Sequence, residues 1–139
     1  MAISSDKQRQ TPGTQVEEGK RTILIYSPDL NFCFSLSMLF QDRYNVITTT
    51  SIGSLDKFVS DYSADLVLID AVPSEKLLLR VEALKQLKAD LPLIMLYVYN
   101  GKDVRLDQNL RKQVTAVFYK PFEVAAVSQK IQEILTPRR

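Results

Sequence analysis

The chain has no histidine and no tryptophan, and it contains one cysteine and four glycines among its 139 residues. Without histidine, the chain cannot supply a histidine-based catalytic pair or a histidine ligand for zinc. The single cysteine, Cys33, excludes a disulfide framework, and we interpret it as a small apolar residue in a helix. No glycine-rich phosphate loop follows the first apolar run. These absences disfavour an enzyme.

Long apolar runs and a strong excess of one charge are also missing. No run approaches the roughly 18 residues of a membrane-spanning helix, and the N-terminus has no signal-peptide core. Eighteen basic and sixteen acidic residues give a net charge of +2, and the basic residues are dispersed along the chain. Charge therefore indicates neither nucleic-acid nor membrane binding. We expect a cytoplasmic protein.

The composition is that of one globular domain preceded by a polar N-terminal segment. Hydrophobic residues make up 45% of the chain and charged residues 24%, and the length fits a single hydrophobic core. Residues 1–20 are polar, lack aromatic residues and contain Pro12 and Gly13, so we predict a flexible N-terminal tail. The folded domain is expected to span residues 21–136, with 137–139 as a short C-terminal end.

Apolar runs of strand length alternate with segments of helical period from residue 21 onwards. The runs predict five strands, at 22–26, 44–50, 65–69, 93–98 and 115–119. Helices are predicted between and after them, from Pro28 to about Gln41 and at 54–62, 74–89, 103–113 and 124–135. Ser27 is expected to cap the first helix, with Pro28 at its first position and Asp29 in its first turn.

Apolar residues recur at helical spacing in the later helices and are expected to face the core. They are Leu55, Phe58, Val59, Leu77, Val81, Leu84, Leu87, Val104, Leu106, Leu110, Val124, Val127, Ile131, Ile134 and Leu135.

Five alternating strands and helices predict an α/β, flavodoxin-like fold. We expect a doubly wound parallel sheet of order 2-1-3-4-5 with helices on both faces. The carboxyl ends of such strands gather at one edge, where ligands bind. Asp70 closes the third run and Lys120 the fifth, while Tyr97 and residues 27–29 arrive from the fourth and first. We expect these residues to share one pocket.

Residues 22–135 resemble a response-regulator receiver domain of the CheY-like superfamily. Four segments carry the resemblance: TILIY at 22–26, ADLVLIDAVP at 64–73, LPLIMLYVY at 91–99 and VFYKPFE at 117–123. The resemblance implies that Asp70 stands at the phosphoacceptor position. It also implies that Lys120, in a Lys-Pro-Phe motif, neutralises the phosphoryl oxygens. The partners implied are a histidine kinase, a phosphotransfer protein or a downstream effector.

The acidic pocket of that family is degenerate here. The family places an acidic pair directly after the first strand, where this chain has Ser27 and Pro28, followed by Asp29. Magnesium needs several oxygen ligands in octahedral array. The metal set implied by the resemblance is therefore reduced to Asp70, Asp29 and Val72, and we expect weak Mg²⁺ binding if any, with no other cofactor.

The switch positions of the family also differ. A small hydroxyl residue usually ends the fourth strand and bonds to the phosphoryl group, and that position is Tyr97 here. The aromatic residue usually found three positions before the lysine is replaced by Val117.

Three hypotheses follow from these patterns. The favoured one is a single-domain, receiver-like protein of two-component phosphorelay signalling that acts as a pseudo-receiver, through protein contacts of its fourth helix, fifth strand and fifth helix. The alternative is a functional receiver that accepts a phosphoryl group on Asp70 from a histidine kinase. A small enzyme on a flavodoxin-like fold is disfavoured, because no nucleophile and base pair is present.

Overall fold

The computed structural model describes residues 16–17 and 19–136. Most of the predicted tail and the C-terminal end 137–139 lie outside the described residues. The five strands are Thr22–Tyr26 (β1), Asn45–Thr49 (β2), Leu66–Asp70 (β3), Leu93–Tyr97 (β4) and Ala116–Tyr119 (β5). They form one parallel sheet of order β2-β1-β3-β4-β5, which confirms the predicted fold class.

Helices follow each strand, as the periodicity predicts. They are Leu30–Phe40 (α1), Leu55–Tyr62 (α2), Glu75–Leu87 (α3), Val104–Gln113 (α4) and Val124–Leu135 (α5). A short 3₁₀ turn, Ile52–Ser54, precedes α2. None of the helices in residues 16–17 and 19–136 is long and apolar enough to cross a bilayer.

The first of two compact units ends at Ala64. In it, β1 pairs with β2 in parallel, in a register that runs from Thr22 opposite Asn45 to Tyr26 opposite Thr49. Every residue of β1 is buried, as expected for a near-continuous apolar strand covered on both faces. The side chain of Asn45 donates hydrogen bonds to the carbonyl oxygens of residues 17 and 20, at 3.0 and 3.2 Å.

The start of α1 corrects one expectation. Asp29, not Ser27, is the N-cap, and its carboxylate accepts hydrogen bonds from the backbone N–H groups two and three residues further on, at 2.9 and 3.3 Å. Ser27 is buried, and its N–H donates to the carbonyl oxygen of Thr49 at 3.2 Å. The backbone ladder with β2 therefore continues through Ser27, so the helix starts later and Pro28 precedes its cap.

The second unit begins at Asp65 and contains the remaining three strands. All residues of β3 and β4 are buried, whereas those of β5 are half-buried, as befits an edge strand. Asp70 is the last residue of β3 and lies opposite Leu96, and Tyr97 lies opposite Tyr119 at the ends of β4 and β5. This register places Asp70 and Tyr97, two of the candidate site residues, at one edge of this unit.

Helix ends account for most of the errors in the predicted core. Leu87 ends α3 and is 50% exposed, while Val104 and Val124 open α4 and α5 and are 42% and 41% exposed. At these ends the apolar stripe of a helix extends beyond the sheet that it covers. Phe58 is half-buried and packs edge-on against Tyr62, with ring centroids 5.6 Å apart.

Candidate functional site

Asp70 and Lys120 meet in the second unit. Asp70 is the last residue of β3 and is 7% exposed, and Lys120 directly follows β5. The Lys120 Nζ forms an ion pair with the Asp70 Oδ1. The backbone of Lys120 is fixed by its N–H, which donates to the carbonyl oxygen of Tyr97 at 2.8 Å. The expected juxtaposition is therefore present, and the roles of the two residues stay predictions.

The environment of this ion pair is asymmetric. The side chain of Asp70 is 10% exposed and that of Lys120 is 35% exposed. Burying a carboxylate is costly unless an opposite charge and hydrogen bonds compensate, so the ammonium group stabilises an otherwise unfavourable charge. Lys120 supplies one positive charge to this pair.

The described side chains form no cluster of carboxylates that would hold a magnesium ion by themselves. Among residues 16–17 and 19–136, no group of three or more cysteine, aspartate or glutamate residues is arranged to hold a metal ion. The carboxylate of Asp29 accepts hydrogen bonds from two N–H groups of α1, and the Val72 side chain is 85% exposed and carries no oxygen. Carboxylates of the described residues therefore do not by themselves supply the several oxygen ligands that Mg²⁺ prefers, and Val72 could contribute only its backbone carbonyl oxygen.

Ser27, Pro28 and Asp29 belong to the first unit, where Asp29 caps α1. Their expected place in one pocket with Asp70 stays a prediction.

Tyr97 takes part in a polar cluster of four residues, which we call the tyrosine cluster: Tyr97, Asp107, Arg111 and Tyr119. The hydroxyl of Tyr97 donates to the Asp107 carboxylate at 2.7 Å, and the hydroxyl of Tyr119 lies 2.9 and 3.1 Å from its two oxygens. Arg111 Nη1 donates to the Tyr119 hydroxyl at 3.0 Å. These bonds connect the ends of β4 and β5 to α4.

Burial makes the bonds of the tyrosine cluster strong. Tyr97 is 2% exposed and Asp107 is 8% exposed. Burial, followed by the hydrogen bond to Asp107 and the charge of that carboxylate, raises the pKa of the Tyr97 phenol well above its ordinary value. Burial and the bond to Asp107 likewise raise the pKa of Tyr119, against the opposing effect of Arg111. Both phenols therefore stay protonated donors at neutral pH.

Sequence reasoning placed Tyr97 at the end of β4 but missed the other three members of the tyrosine cluster. Two signals point to them in hindsight. Tyr97 and Tyr119 end adjacent parallel strands in register, and Asp107 and Arg111 are four residues apart on α4, which places them on one helix face. Val117, the other predicted switch position, is half-buried in β5.

No protein-family model matches the chain, and no curated protein matches its sequence. Solved structures do match.

The N-terminal signal receiver domain of a two-component response regulator from Bacteroides fragilis has a TM-score of 0.71 at 18% identity, covering 86% of this chain and 100% of that one. A chemotaxis protein from Vibrio cholerae has a TM-score of 0.70 at 18% identity, covering 84% of this chain and 100% of that one. A pilus assembly-related protein from Burkholderia pseudomallei has a TM-score of 0.69 at 22% identity, with coverages of 86% and 92%.

Strand order, strand direction and these neighbours agree. The chain has the fold of response-regulator receiver domains.

Proposed function

We propose that the protein is a pseudo-receiver: a receiver-like module of two-component signalling that acts by binding a protein partner rather than by accepting a phosphoryl group. Its role is that of a signalling module and not of an enzyme. The partner is a histidine kinase, a phosphotransfer protein or a downstream effector. The observation that carries this proposal is the tyrosine cluster, which engages the residue at the switch position in buried hydrogen bonds.

The charge balance around Asp70 supports impaired phosphorylation. A phosphoryl group carries about two negative charges at neutral pH, and its transfer requires cations around the transferred oxygens. Receiver domains generally gain part of this charge from Mg²⁺ in an acidic pocket. Lys120 contributes one positive charge, already paired with Asp70, and the described side chains assemble no metal site. A phosphorylated Asp70 would therefore be poorly neutralised.

The tyrosine cluster supports a fixed conformation. In the receiver family, a free hydroxyl at the end of the fourth strand moves toward the phosphoryl group. The Tyr97 hydroxyl instead donates to Asp107, and the same carboxylate accepts from Tyr119. Releasing Tyr97 would leave a buried carboxylate short of a donor, at a cost of about 1–3 kcal/mol. We infer that α4 and β5 keep one arrangement whatever happens at Asp70.

A fixed α4 and β5 would present a constant surface for docking. Arg111 is exposed, and its guanidinium lies 5.9 Å from the ring centroid of Tyr119. The ring of Tyr99 packs edge-on against Tyr119, with centroids 5.3 Å apart. Aromatic residues and arginine are common anchors of protein interfaces. We therefore propose the surface formed by α4, β5 and α5 as the partner-binding face.

Incubation with acetyl phosphate and Mg²⁺, followed by intact-mass measurement, tests the phosphorylation part of this proposal. We expect no added phosphoryl mass on the wild-type chain, and none on an Asp70→Asn control. An added phosphoryl group that disappears in Asp70→Asn would contradict the proposal and establish the alternative, a functional phosphoacceptor receiver.

A further inference from the structure

A cavity of about 390 Å³ opens in the second unit, beside the tyrosine cluster. It lies between the loop that follows β3 and the loop that joins β4 to α4. Its lining includes Val72 from the first loop, Val98, Tyr99 and Asp103 from the second, and Tyr97 and Asp107 behind them. Its volume falls within the roughly 300–1,000 Å³ that is typical of small-molecule sites.

The charge of this cavity is negative. Two carboxylates, Asp103 and Asp107, belong to the lining, and the described lining residues include no lysine or arginine. Asp107 is buried and already accepts hydrogen bonds from two tyrosines. Asp103 is exposed and stands at the N-cap position of α4, yet its side chain accepts no capping hydrogen bond. The Asp103 carboxylate is therefore available to a ligand, with a second negative charge behind it.

The aromatic walls complement this charge. Tyr97 and Tyr99 both pack edge-on against Tyr119, with ring centroids 5.7 and 5.3 Å apart. Aromatic faces attract cations, and a guanidinium group does so best when it can also stack. The same ring system already holds one guanidinium group, that of Arg111, over Tyr119. The exposed side chains of Val72 and Val98 add apolar surface at the cavity, which suits the methylene groups of an alkyl chain.

We propose that this cavity binds an alkylguanidinium group, carried either by a small molecule or by an arginine side chain of a partner. The Asp103 carboxylate accepts two parallel hydrogen bonds from the guanidinium fork, and Tyr99 offers an aromatic face. Asp107 contributes negative charge without a direct bond. This site does not depend on phosphorylation of Asp70, so it stands whether or not the proposed function holds.

Titration of the ¹⁵N-labelled full chain with L-arginine amide tests the proposal. L-citrulline amide is the matched control, because it has nearly the same shape and no guanidinium charge. We expect saturable shifts of the backbone amides at residues 99–103 with arginine amide, with a dissociation constant of about 1 mM, and no saturation with citrulline amide. Equal shifts of the backbone amides with both compounds, or no saturable shifts with either compound, would overturn the proposal.

Two charge-removing variants locate the site. Asp103→Asn removes the carboxylate that would bind the guanidinium, and we expect it to weaken binding about tenfold or more. Asp90→Asn removes the same charge at an exposed position outside the cavity lining, and we expect it to bind as the wild type does. Equal weakening by both variants would indicate general electrostatic attraction and contradict the proposed site.

The source of the guanidinium group is decided by a second titration. An acetyl-Gly-Arg-Gly-amide peptide presents arginine as a partner protein would, and agmatine presents it as a small molecule. Peptide binding at least as tight as agmatine binding indicates a partner side chain, and binding of agmatine alone indicates a small-molecule ligand. Binding of neither, at concentrations that saturate a millimolar site, refutes the proposal.

Discussion

Replacing Tyr97 by phenylalanine removes one hydroxyl group from the tyrosine cluster and leaves the ring in place. The ring is 2% exposed, so the variant keeps the buried apolar surface and the edge-on packing on Tyr119. What is lost is the 2.7 Å hydrogen bond to the Asp107 carboxylate. The substitution therefore isolates the contribution of this bond to the connection between β4 and α4.

The size of the effect follows from the remaining partners of Asp107. A hydrogen bond to a charged group contributes about 1.5–3 kcal/mol. Asp107 is 8% exposed, so little water replaces the lost donor, but the hydroxyl of Tyr119 still lies 2.9 and 3.1 Å from its oxygens. We therefore expect Tyr97→Phe to lower the free energy of unfolding by about 1–2 kcal/mol, which is at or below the lower end of that range because Tyr119 still donates to Asp107.

Urea denaturation followed by circular dichroism measures this loss. With a slope of about 2 kcal/mol per M, typical of small domains, the midpoint should fall by about 0.5–1 M. Tyr99→Phe is the matched control, because Tyr99 is 46% exposed and no hydrogen bond of its hydroxyl is found among the described residues. If Tyr97→Phe agreed with Tyr99→Phe within about 0.3 kcal/mol, the tyrosine cluster would not stabilise α4, and the proposed fixed conformation would lose its basis.

Three further outcomes follow from the geometry. The pKa of Tyr97 is raised in the folded state, so its contribution is fully present below pH ~10 and is lost as pH rises from there through the folded pKa. Above pH ~10, the unfolding free energy of the wild type should therefore fall more steeply with pH than that of Tyr97→Phe. The two slopes should differ by up to ~1.4 kcal/mol per pH unit, the value for one proton. Parallel profiles of unfolding free energy against pH would contradict this. Lys120→Met leaves the buried Asp70 carboxylate without its ammonium partner, so thermal denaturation should show that the free energy of unfolding falls by about 1–3 kcal/mol. The double variant Asp70→Asn/Lys120→Met should partly restore it, because the buried charge is then removed as well. An equal or larger loss in the double variant would refute a stabilising ion pair. Asp29→Ala removes the cap of α1 and should lower the free energy of unfolding, measured by urea denaturation, by about 1 kcal/mol. Asp29→Asn should lower it much less, because asparagine also caps well. Equal losses in the two variants would exclude the capping role.

Most of the fold could be predicted from residue patterns because the strands are short apolar runs with clear boundaries. The strands at 93–98 and 115–119, for example, differ from the observed Leu93–Tyr97 and Ala116–Tyr119 by one residue each. The pairing of Asp70 with Lys120 was also accessible, because residues that end parallel strands gather at one edge of a sheet.

The errors arise where long-range contacts override local signals. Ser27-Pro28 has the local pattern of a helix start, but the hydrogen bond from Ser27 to Thr49 extends the strand ladder and moves the cap to Asp29. Local patterns could not show this, because the competing bond joins residues 22 positions apart.

The tyrosine cluster was missed for a related reason. Asp107 is an aspartate, a residue type that is usually exposed, but it lies three residues from both Val104 and Leu110 on the apolar face of α4 and is buried. Its burial depends on hydroxyl donors that arrive from two strands, at Tyr97 and Tyr119. The spacing within α4 places Asp107 on the buried face, but it does not identify the hydroxyl groups that would compensate for the burial of the carboxylate.

The most direct test of the proposed fixed conformation is a comparison of ¹H–¹⁵N spectra of the full chain with and without acetyl phosphate and Mg²⁺. We predict that the backbone amides of residues 97, 107, 111 and 119 keep their chemical shifts, because buried hydrogen bonds hold the tyrosine cluster in one arrangement. Chemical-shift changes at these four positions that appear with acetyl phosphate and Mg²⁺, and that are absent in Asp70→Asn, would show that the tyrosine cluster responds to Asp70. They would contradict the proposed fixed conformation.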